Sequence, residues 1–298
     1  MEKLLFTGGT GFLGANAKPI LDRMYEVTTI GITEKDELKA NFVTDIPELP
    51  CKYDVVLHAA GKAHMYPKTE TERQSFYDVN YTGTIHLCEA LEKAGLPKAF
   101  VFISTLNVYG SEPGNMDTED SRFLVGDSPY SDSKIKAEEY LTHWCKQHNV
   151  ILGILRPALL AGTNAPGNLG TMVNGIKTGK YLSIAGGKAK KSILMAEDIA
   201  HLVPLVAEKG GVYNVCDDYN PSFAELEACI ANQLGKRKPI SIPYWMAKCL
   251  AWIGDVFSFF PINTSRLEKI VTSDTWSNEK AKRELGWQPM NVLENYKI

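Results

Sequence analysis

The sequence predicts an α/β fold, a doubly wound parallel sheet with a smaller C-terminal lobe, on three observations. Short apolar runs at residues 3–6, 27–30, 54–58, 99–104 and 150–155 alternate with helical patterns at 16–23, 70–94 and 131–148. Strands alternating with helices form a parallel sheet covered on both faces, and the right-handed crossover rule winds that sheet in two directions. A cluster of glycines fills the turn between the first strand and the first helix. After Arg156 the character changes: residues 161–187 are rich in Gly, Asn and Thr with one short helical pattern, and are expected to run as loops over a binding cleft. From Pro221 onward the pattern is helical, ending in a helix at 278–285 that Gly286 closes.

The 298 residues suffice for one large domain or two coupled ones. With 44% hydrophobic and 22% charged residues the composition excludes disordered, collagen-like and coiled-coil classes. Lys and Arg number 32 against 35 Asp and Glu, a formal charge of -3, so no basic excess marks a nucleic-acid surface. Cys51, Cys88, Cys145, Cys216, Cys229 and Cys249 contain no CxxC pair and no Cys/His cluster at metal-ligand spacing. They are expected to be reduced and mostly buried in a cytoplasmic protein without a metal site. The opening MEKLLFTGGTGFLG lacks the pattern of a signal peptide. The apolar run 244–260, YWMAKCLAWIGDVFSFF, is too short and, with Lys248 and Asp255, too charged to span a bilayer. It reads as a helix packed in the C-terminal part, as a subunit or lid contact, or as a membrane-surface helix.

Residues 7–14, TGGTGFLG, place Gly8, Gly11 and Gly14 at a G-x-x-G-x-x-G spacing. Small residues permit the tight turn and bring the helix start, with Phe12 and Leu13, against a pyrophosphate. Glycines can serve a structural turn alone, but strand, helix and position here agree with dinucleotide binding. The expectation is a Rossmann-type domain over 1–160, completed by parts of 192–216, with 161–191 and 217–298 forming the substrate-binding lobe. An NAD-binding chain carries an acid at the end of its second strand, where it accepts hydrogen bonds from the adenosine ribose. Here that place holds Gly31, and Glu34 and Lys35 follow three and four residues later. Lys35 could meet a 2′-phosphate, so the cofactor is NAD or NADP. Asp45 and Ile46 are candidate adenine contacts, with turn capping as the alternative for Asp45.

Tyr130 and Lys134 form a YxxxK pair at the start of the helical run YSDSKIKAEEYL. A spacing of four puts both on one helical face, where the ammonium can stabilise a phenolate. Lowering a tyrosine of pKa about 10 by about 3 units takes roughly 4 kcal/mol, and a partly desolvated lysine is a source of it. The spacing alone is common on surface helices. The run FVFISTLNVYG at 100–110 adds a buried strand ending in Ser104 and Thr105, at the carboxyl end where such sheets bind ligands. With these motifs, DVVLHAAG at 54–61, Asn80 in DVN, RPALLAG at 156–162 and the C-terminal NEKAKRELGWQP, the chain resembles the extended short-chain dehydrogenase/reductase family. It is most similar to the NAD-dependent epimerase/dehydratase branch, which acts on nucleotide sugars.

That resemblance implies that Thr105 hydrogen-bonds the reacting sugar oxygen, that Tyr130 is the acid/base, and that Lys134 lowers its pKa while holding the nicotinamide ribose. It implies that Ala59, Ala60 and Gly61 pass along the cofactor, and that Asn80, Ser104 and Pro157 line or support its site. Asn107, Asn168, Lys191 and His64 fall at substrate-facing positions. Asn80 could equally be a satisfied buried amide, Asn168 a turn residue, and His64 a plain polar contact. His58, inside an apolar run, reads as a packed residue. Where the branch carries an arginine for the nucleotide diphosphate, this chain has Lys190-Lys191-Ser192, which supplies charge without a bidentate fork.

Dehydratases of the branch carry Asp and Glu directly after the threonine. Leu106 and Asn107 stand there instead, which argues against water elimination. The leading expectation is oxidation and reduction at C4 of a UDP- or dTDP-linked sugar in surface polysaccharide synthesis. Tyr130 takes the proton of the 4-hydroxyl while hydride passes to the nicotinamide. The enzyme is then a UDP-hexose or UDP-N-acetylhexosamine 4-epimerase, or a 4-keto-sugar reductase, and the family implies a homodimer. A non-sugar carbonyl reductase and a catalytically silent dinucleotide sensor are the alternatives, and the intact Thr105, Tyr130 and Lys134 argue against the sensor.

Overall fold

Each apolar run becomes a strand whose successive side chains point to opposite faces, so a sheet covered on both sides reads as unbroken hydrophobicity. The computed structural model describes residues 1–63, 65, 67–110, 112–256 and 262–298. The chain runs through β1 (Glu2–Thr7), α1 (Phe12–Leu21), β2 (Tyr25–Gly31), β3 (Leu38–Lys39), β4 (Val55–His58), α2 (Glu70–Tyr77), α3 (Gly83–Ala94), β5 (Ala99–Ile103), α4 (Pro129–His148) and β6 (Ile151–Pro157). It continues through β7 (Leu159–Ala161), α5 (Gly167–Lys177), β8 (Leu182–Ile184), β9 (Ile193–Met195), α6 (Ala196–Lys209), β10 (Gly211–Val215) and α7 (Phe223–Gln233). The last elements are β11 (Ile240–Ile242), α8 (Tyr244–Val256), α9 (Thr264–Val271), α10 (Glu279–Leu285) and α11 (Val292–Asn295).

Seven strands pair in parallel in the order β10-β6-β5-β4-β1-β2-β3. This is the Rossmann-type doubly wound sheet expected. The winding direction reverses between β1 and β4, so the loops leaving those strands part and open a crevice at their carboxyl ends. In β1, Leu4 and Phe6 face a core shared with Leu21 of α1 and Val203 of α6. Leu5 faces the other core, with Leu91 of α3 and Leu141 and Trp144 of α4.

Four local readings change. The helix expected over 70–94 is two helices separated by a wide π-type turn at Asp78–Thr82, where Asn80 is buried. The first helix begins at Phe12 rather than residue 16, because its N-cap is the glycine loop itself. The helix α6, unforeseen in the sequence, carries an internal Pro204 that reads as a breaker. Residues 161–187 are only partly loop: the short helical pattern is α5, which buries Leu169, Met172 and Ile176 against α7 and α11, while β7 pairs with β9 and β8 with β11. Glycines there serve close packing; a Cβ on Gly170 would lie 2.2 Å from the Ala165 carbonyl oxygen.

The described helix α8 packs Ala247 and Ala251 against Leu267 of α9 and leaves Trp245 and Trp252 exposed. Residues 257–260 of that apolar run lie outside the described residues. No helix among the described residues is long and apolar enough to cross a membrane. Cys88, Cys145 and Cys216 are buried free thiols, whereas Cys249 is exposed.

Candidate active site

The loop between β1 and α1 is shaped by approaches that a side chain would block. Gly8 has φ +75°, and a Cβ on it would lie 2.8 Å from the Ala60 nitrogen; on Gly14 it would lie 1.9 Å from the Gly9 carbonyl oxygen. The loop therefore packs on the segment leaving β4, and the first turn of α1 packs on the loop. Gly11 caps α1 without a side-chain acceptor, and no acidic residue stands in the first turn. The helix N-terminus, with Phe12 and Leu13, keeps its N–H groups for an anion, and this donor set fits a dinucleotide pyrophosphate.

Two residues missed in the sequence complete this end. Asn16 donates to the Phe12 carbonyl at 2.8 Å and accepts the Thr163 N–H at 3.0 Å, tying α1 to the segment after β7. Its one signal was a polar residue on the inner side of an amphipathic helix. Asp36 folds back over Gly31: its Oδ2 accepts from the Thr33 N–H at 3.0 Å, the Thr33 hydroxyl at 2.8 Å and the Thr10 hydroxyl at 3.3 Å. Asp45 and Ile46 are exposed beyond β3, and the Asp45 carboxylate accepts the Thr44 hydroxyl at 2.8 Å.

At α4, Ser128 and Ser131 form a reciprocal capping box with Pro129 in the first turn, and this sets the position of Tyr130. The Tyr130 ring meets Phe76 edge-on at 6.4 Å between centroids. Burial pushes the Tyr130 phenol above its ordinary pKa, and a hydrogen bond with the Thr105 side chain pulls it partly back. One turn on, Lys134 is buried, donates to the Ile103 carbonyl at 2.8 Å and lies 4.5 Å from the centre of the Phe102 ring. Desolvation brings its pKa down to about 8, against the attraction of Glu138. The expected depression of Tyr130 by Lys134 is absent here, because the ammonium turns to Ile103 and burial dominates the phenol. Thr105 caps the 3₁₀ turn Leu106–Tyr109, its Oγ1 accepting the Asn107 N–H at 3.2 Å, while the Asn107 side chain is exposed.

The segment Ala59, Ala60 and Gly61 meets this group from the other side. A Cβ on Gly61 would lie 3.1 Å from Asn80 Oδ1 and 3.3 Å from Lys134 Nζ. Asn80 accepts the Lys62 N–H at 2.7 Å and donates to the Lys62 carbonyl at 3.1 Å and Ser133 Oγ at 2.9 Å. It is thus a satisfied amide that positions the loop. The Ser104 hydroxyl donates to the buried Glu138 carboxylate beneath the site. Pro157 is buried at the end of β6.

His58 is packed, as expected, and its tautomer follows from its neighbours. Thr84 donates its hydroxyl to the Asn80 carbonyl at 2.7 Å, so it accepts from His58 Nε2–H at 2.9 Å. Nδ1 of the neutral ring then accepts the Thr7 hydroxyl at 2.7 Å, and Thr7 Oγ1 takes the Ala60 N–H at 3.1 Å. Full burial, with the Lys134 charge adding to it, lowers the His58 pKa to about 3.

The substrate-side positions are more scattered. Lys191 is largely buried, which lowers its pKa, and its ammonium lies 3.9 Å from the Asp274 carboxylate. That carboxylate also accepts the Gly114 N–H and the Trp276 indole, each at 3.0 Å, so the cation expected to meet a diphosphate already has an anion. Asn168 is exposed in the first turn of α5. His64 lies outside the described residues.

Comparison with known proteins follows the same lines. A model of the NAD dependent epimerase/dehydratase family matches residues 4–216. A UDP-glucose 4-epimerase of Vibrio cholerae is 28% identical, covering 98% of this chain and 92% of the relative. The N-acetyl-alpha-D-glucosaminyl-diphospho-ditrans,octacis-undecaprenol 4-epimerase of Escherichia coli O157:H7 is 26% identical, over 86% of this chain and 80% of that one. Among solved structures, RMD from Pseudomonas aeruginosa complexed with NADPH superposes with TM-score 0.76 at 18% identity, covering 99% of this chain and 96% of that one, a likeness of fold.

Proposed function

The chain belongs to the NAD-dependent epimerase/dehydratase family, and we propose that it acts at C4 of a UDP-linked hexose or N-acetylhexosamine as a 4-epimerase. The observation that carries this reading is the convergence of Thr105, Tyr130 and Lys134 at the carboxyl end of β5, with Leu106 and Asn107 where elimination of water would need carboxylates. Two relatives named as 4-epimerases, each covering most of the chain, support it. A bound nicotinamide dinucleotide supplies the hydride acceptor and donor. Tyr130 Oη takes the proton from the 4-hydroxyl and later returns it, and Thr105 orients the same oxygen through its hydroxyl. Burial keeps Tyr130 a neutral phenol at rest, which suits the proton-donating half. The proton-accepting half requires the Lys134 ammonium to leave Ile103 and turn toward the phenol, a charge that it holds below about pH 8. The product would feed surface polysaccharide synthesis.

Incubation with UDP-glucose and UDP-N-acetylglucosamine, followed by NMR of the anomeric protons, is expected to show the C4 epimer of one of them. Tyr130→Phe should lower turnover roughly 10²- to 10⁴-fold with dinucleotide affinity nearly unchanged, since it removes proton transfer alone. Undiminished turnover in that variant removes Tyr130 from the chemistry. Reduction of a 4-keto sugar without any epimer makes the protein a reductase, and a melting temperature that neither UDP nor dTDP moves points to a non-sugar carbonyl.

A further inference from the structure

We propose that α8 is a membrane-docking helix, which seats the protein on the surface of an anionic lipid bilayer with Trp245 and Trp252 among the headgroups. This docking is independent of the reaction at the active site. A helix that serves a core alone turns its large apolar side chains inward. In α8 the sides are exchanged. Ala247, Ala251 and Gly254, spaced i, i+4 and i+7, are buried, while Trp245 and Trp252 on the opposite side are 65% and 70% exposed. Met246 and Ile253, two turns apart, widen the exposed apolar stripe.

The small side is held too closely for the helix to roll over. A Cβ on Gly254 would lie 1.8 Å from the Ile262 carbonyl oxygen, and Ala247 and Ala251 pack on Leu267 of α9. The Asp255 carboxylate accepts the Thr264 N–H at 3.0 Å and the Thr264 hydroxyl, which pins the end of α8 to the start of α9. Turning a tryptophan into that contact would displace α9. The two indoles therefore stay outside, where water alone is a poor partner for them.

Charge selects the occupant. Residues 236–256 hold Lys236, Arg237, Lys238 and Lys248 against Asp255 alone, a net charge of +3 in a chain of -3. The four cations are exposed and form no ion pair among the described residues, so their charge is left for something outside the fold. A second copy meeting this face in a two-fold contact would set +3 against +3, which opposes association. The buried centre of a protein interface is also depleted in lysine. An anionic leaflet accepts both parts: its negative surface potential attracts the basic side chains, and its headgroup layer is where tryptophan settles. Since no helix among the described residues is long and apolar enough to cross a membrane, the attachment is to the surface.

Of the five tryptophans, Trp144, Trp276 and Trp287 are buried, so intrinsic fluorescence reports directly on Trp245 and Trp252. The full chain should cosediment with vesicles of phosphatidylcholine and phosphatidylglycerol at least roughly tenfold more tightly than with phosphatidylcholine alone, and its emission should move to the blue. Replacing Trp245→Ser and Trp252→Ser together should weaken vesicle binding roughly tenfold or more and abolish the emission shift. Replacing Lys236→Ser, Arg237→Ser and Lys238→Ser together should bring the two vesicle affinities within about threefold. All five side chains are exposed, so the melting temperature without lipid should hold in both variants. Absence of cosedimentation with either vesicle overturns the proposal, as does equal binding of the unaltered protein to both vesicles. A concentration-dependent dimer that the tryptophan variant abolishes, without vesicle binding, overturns it in favour of a contact between copies.

Discussion

Beneath the carboxyl end of β5 the protein buries one neutral and one ionic network, and the two respond to different insults. On the β4 side a chain of single donors runs from the Ala60 N–H through Thr7, His58 and Thr84 to the neighbourhood of Asn80. On the β6 side Ser104 donates to Glu138, whose carboxylate takes Arg156 Nε at 3.1 Å and also Nη2. Arg156 Nη1 donates to the Tyr109 hydroxyl at 2.7 Å, which donates to Asn214 at 2.8 Å. Lys134 lies between them, over the Phe102 ring on which His58 stacks at 5.6 Å. Glu138 favours the Lys134 ammonium, and that ammonium disfavours a charge on His58. The Lys134 cation thus has an anion on one side and a ring that stays neutral on the other.

The sharpest way to break this contrast is to remove one ion. Glu138→Ala leaves Arg156 buried and uncompensated, and a loss of about 3–5 kcal/mol in urea unfolding is expected. Replacing the pair together, with Glu138→Leu and Arg156→Met, should recover most of that loss, since a buried ion pair often gives no net gain over well-packed apolar groups. A loss below roughly 1 kcal/mol in the single variant would mean that water reaches Arg156. The neutral side is expected to give a smaller effect. Thr84→Val keeps the shape but leaves His58 Nε2–H without its acceptor and removes one hydroxyl from the Asn80 carbonyl, costing about 1–3 kcal/mol. Unfolding of Thr84→Val at the wild-type midpoint would show that these bonds carry no net stability.

What could be read from the sequence and what could not divide along the same physical line. The glycine loop, the YxxxK pair and the strand runs are local patterns, because their function depends on spacing within one turn or one strand. Asn16 meets Thr163 across 147 residues of chain, and no periodicity announces such a partner. Asp36 was passed over because it stands five residues beyond Gly31, and only the folded turn brings it back. The break at Asp78–Thr82 was invisible because a π-type turn preserves helical composition while shifting the register that buries Asn80. Lys134 differs for another reason: a four-residue spacing puts two side chains on one face but does not say which acceptor the longer one selects, and here it donates to the Ile103 carbonyl.

The smallest effect concerns protons, and its sign separates His58 from the rest of the fold. The folded His58 pKa of about 3 lies below the ordinary value of 6.5, so its contribution to stability is fully present above pH 6.5 and is lost as pH falls toward 3. Asp198 runs the opposite way: burial raises it from 3.8 to about 7, so its contribution is full below pH 3.8 and is lost as pH rises through 7. Between about pH 4 and 6.5 the two slopes oppose each other, each near 1.4 kcal/mol per pH unit, and the unaltered protein hides both. His58→Asn removes one slope and leaves every other titrating group in place. The stability of this variant relative to wild type should therefore rise by about 1 kcal/mol between pH 6.5 and 5.5 and stay level above pH 7. A difference that is level across the whole range would mean that His58 binds its proton equally in the folded and unfolded chain, and the neutral network beneath Lys134 would not be neutral.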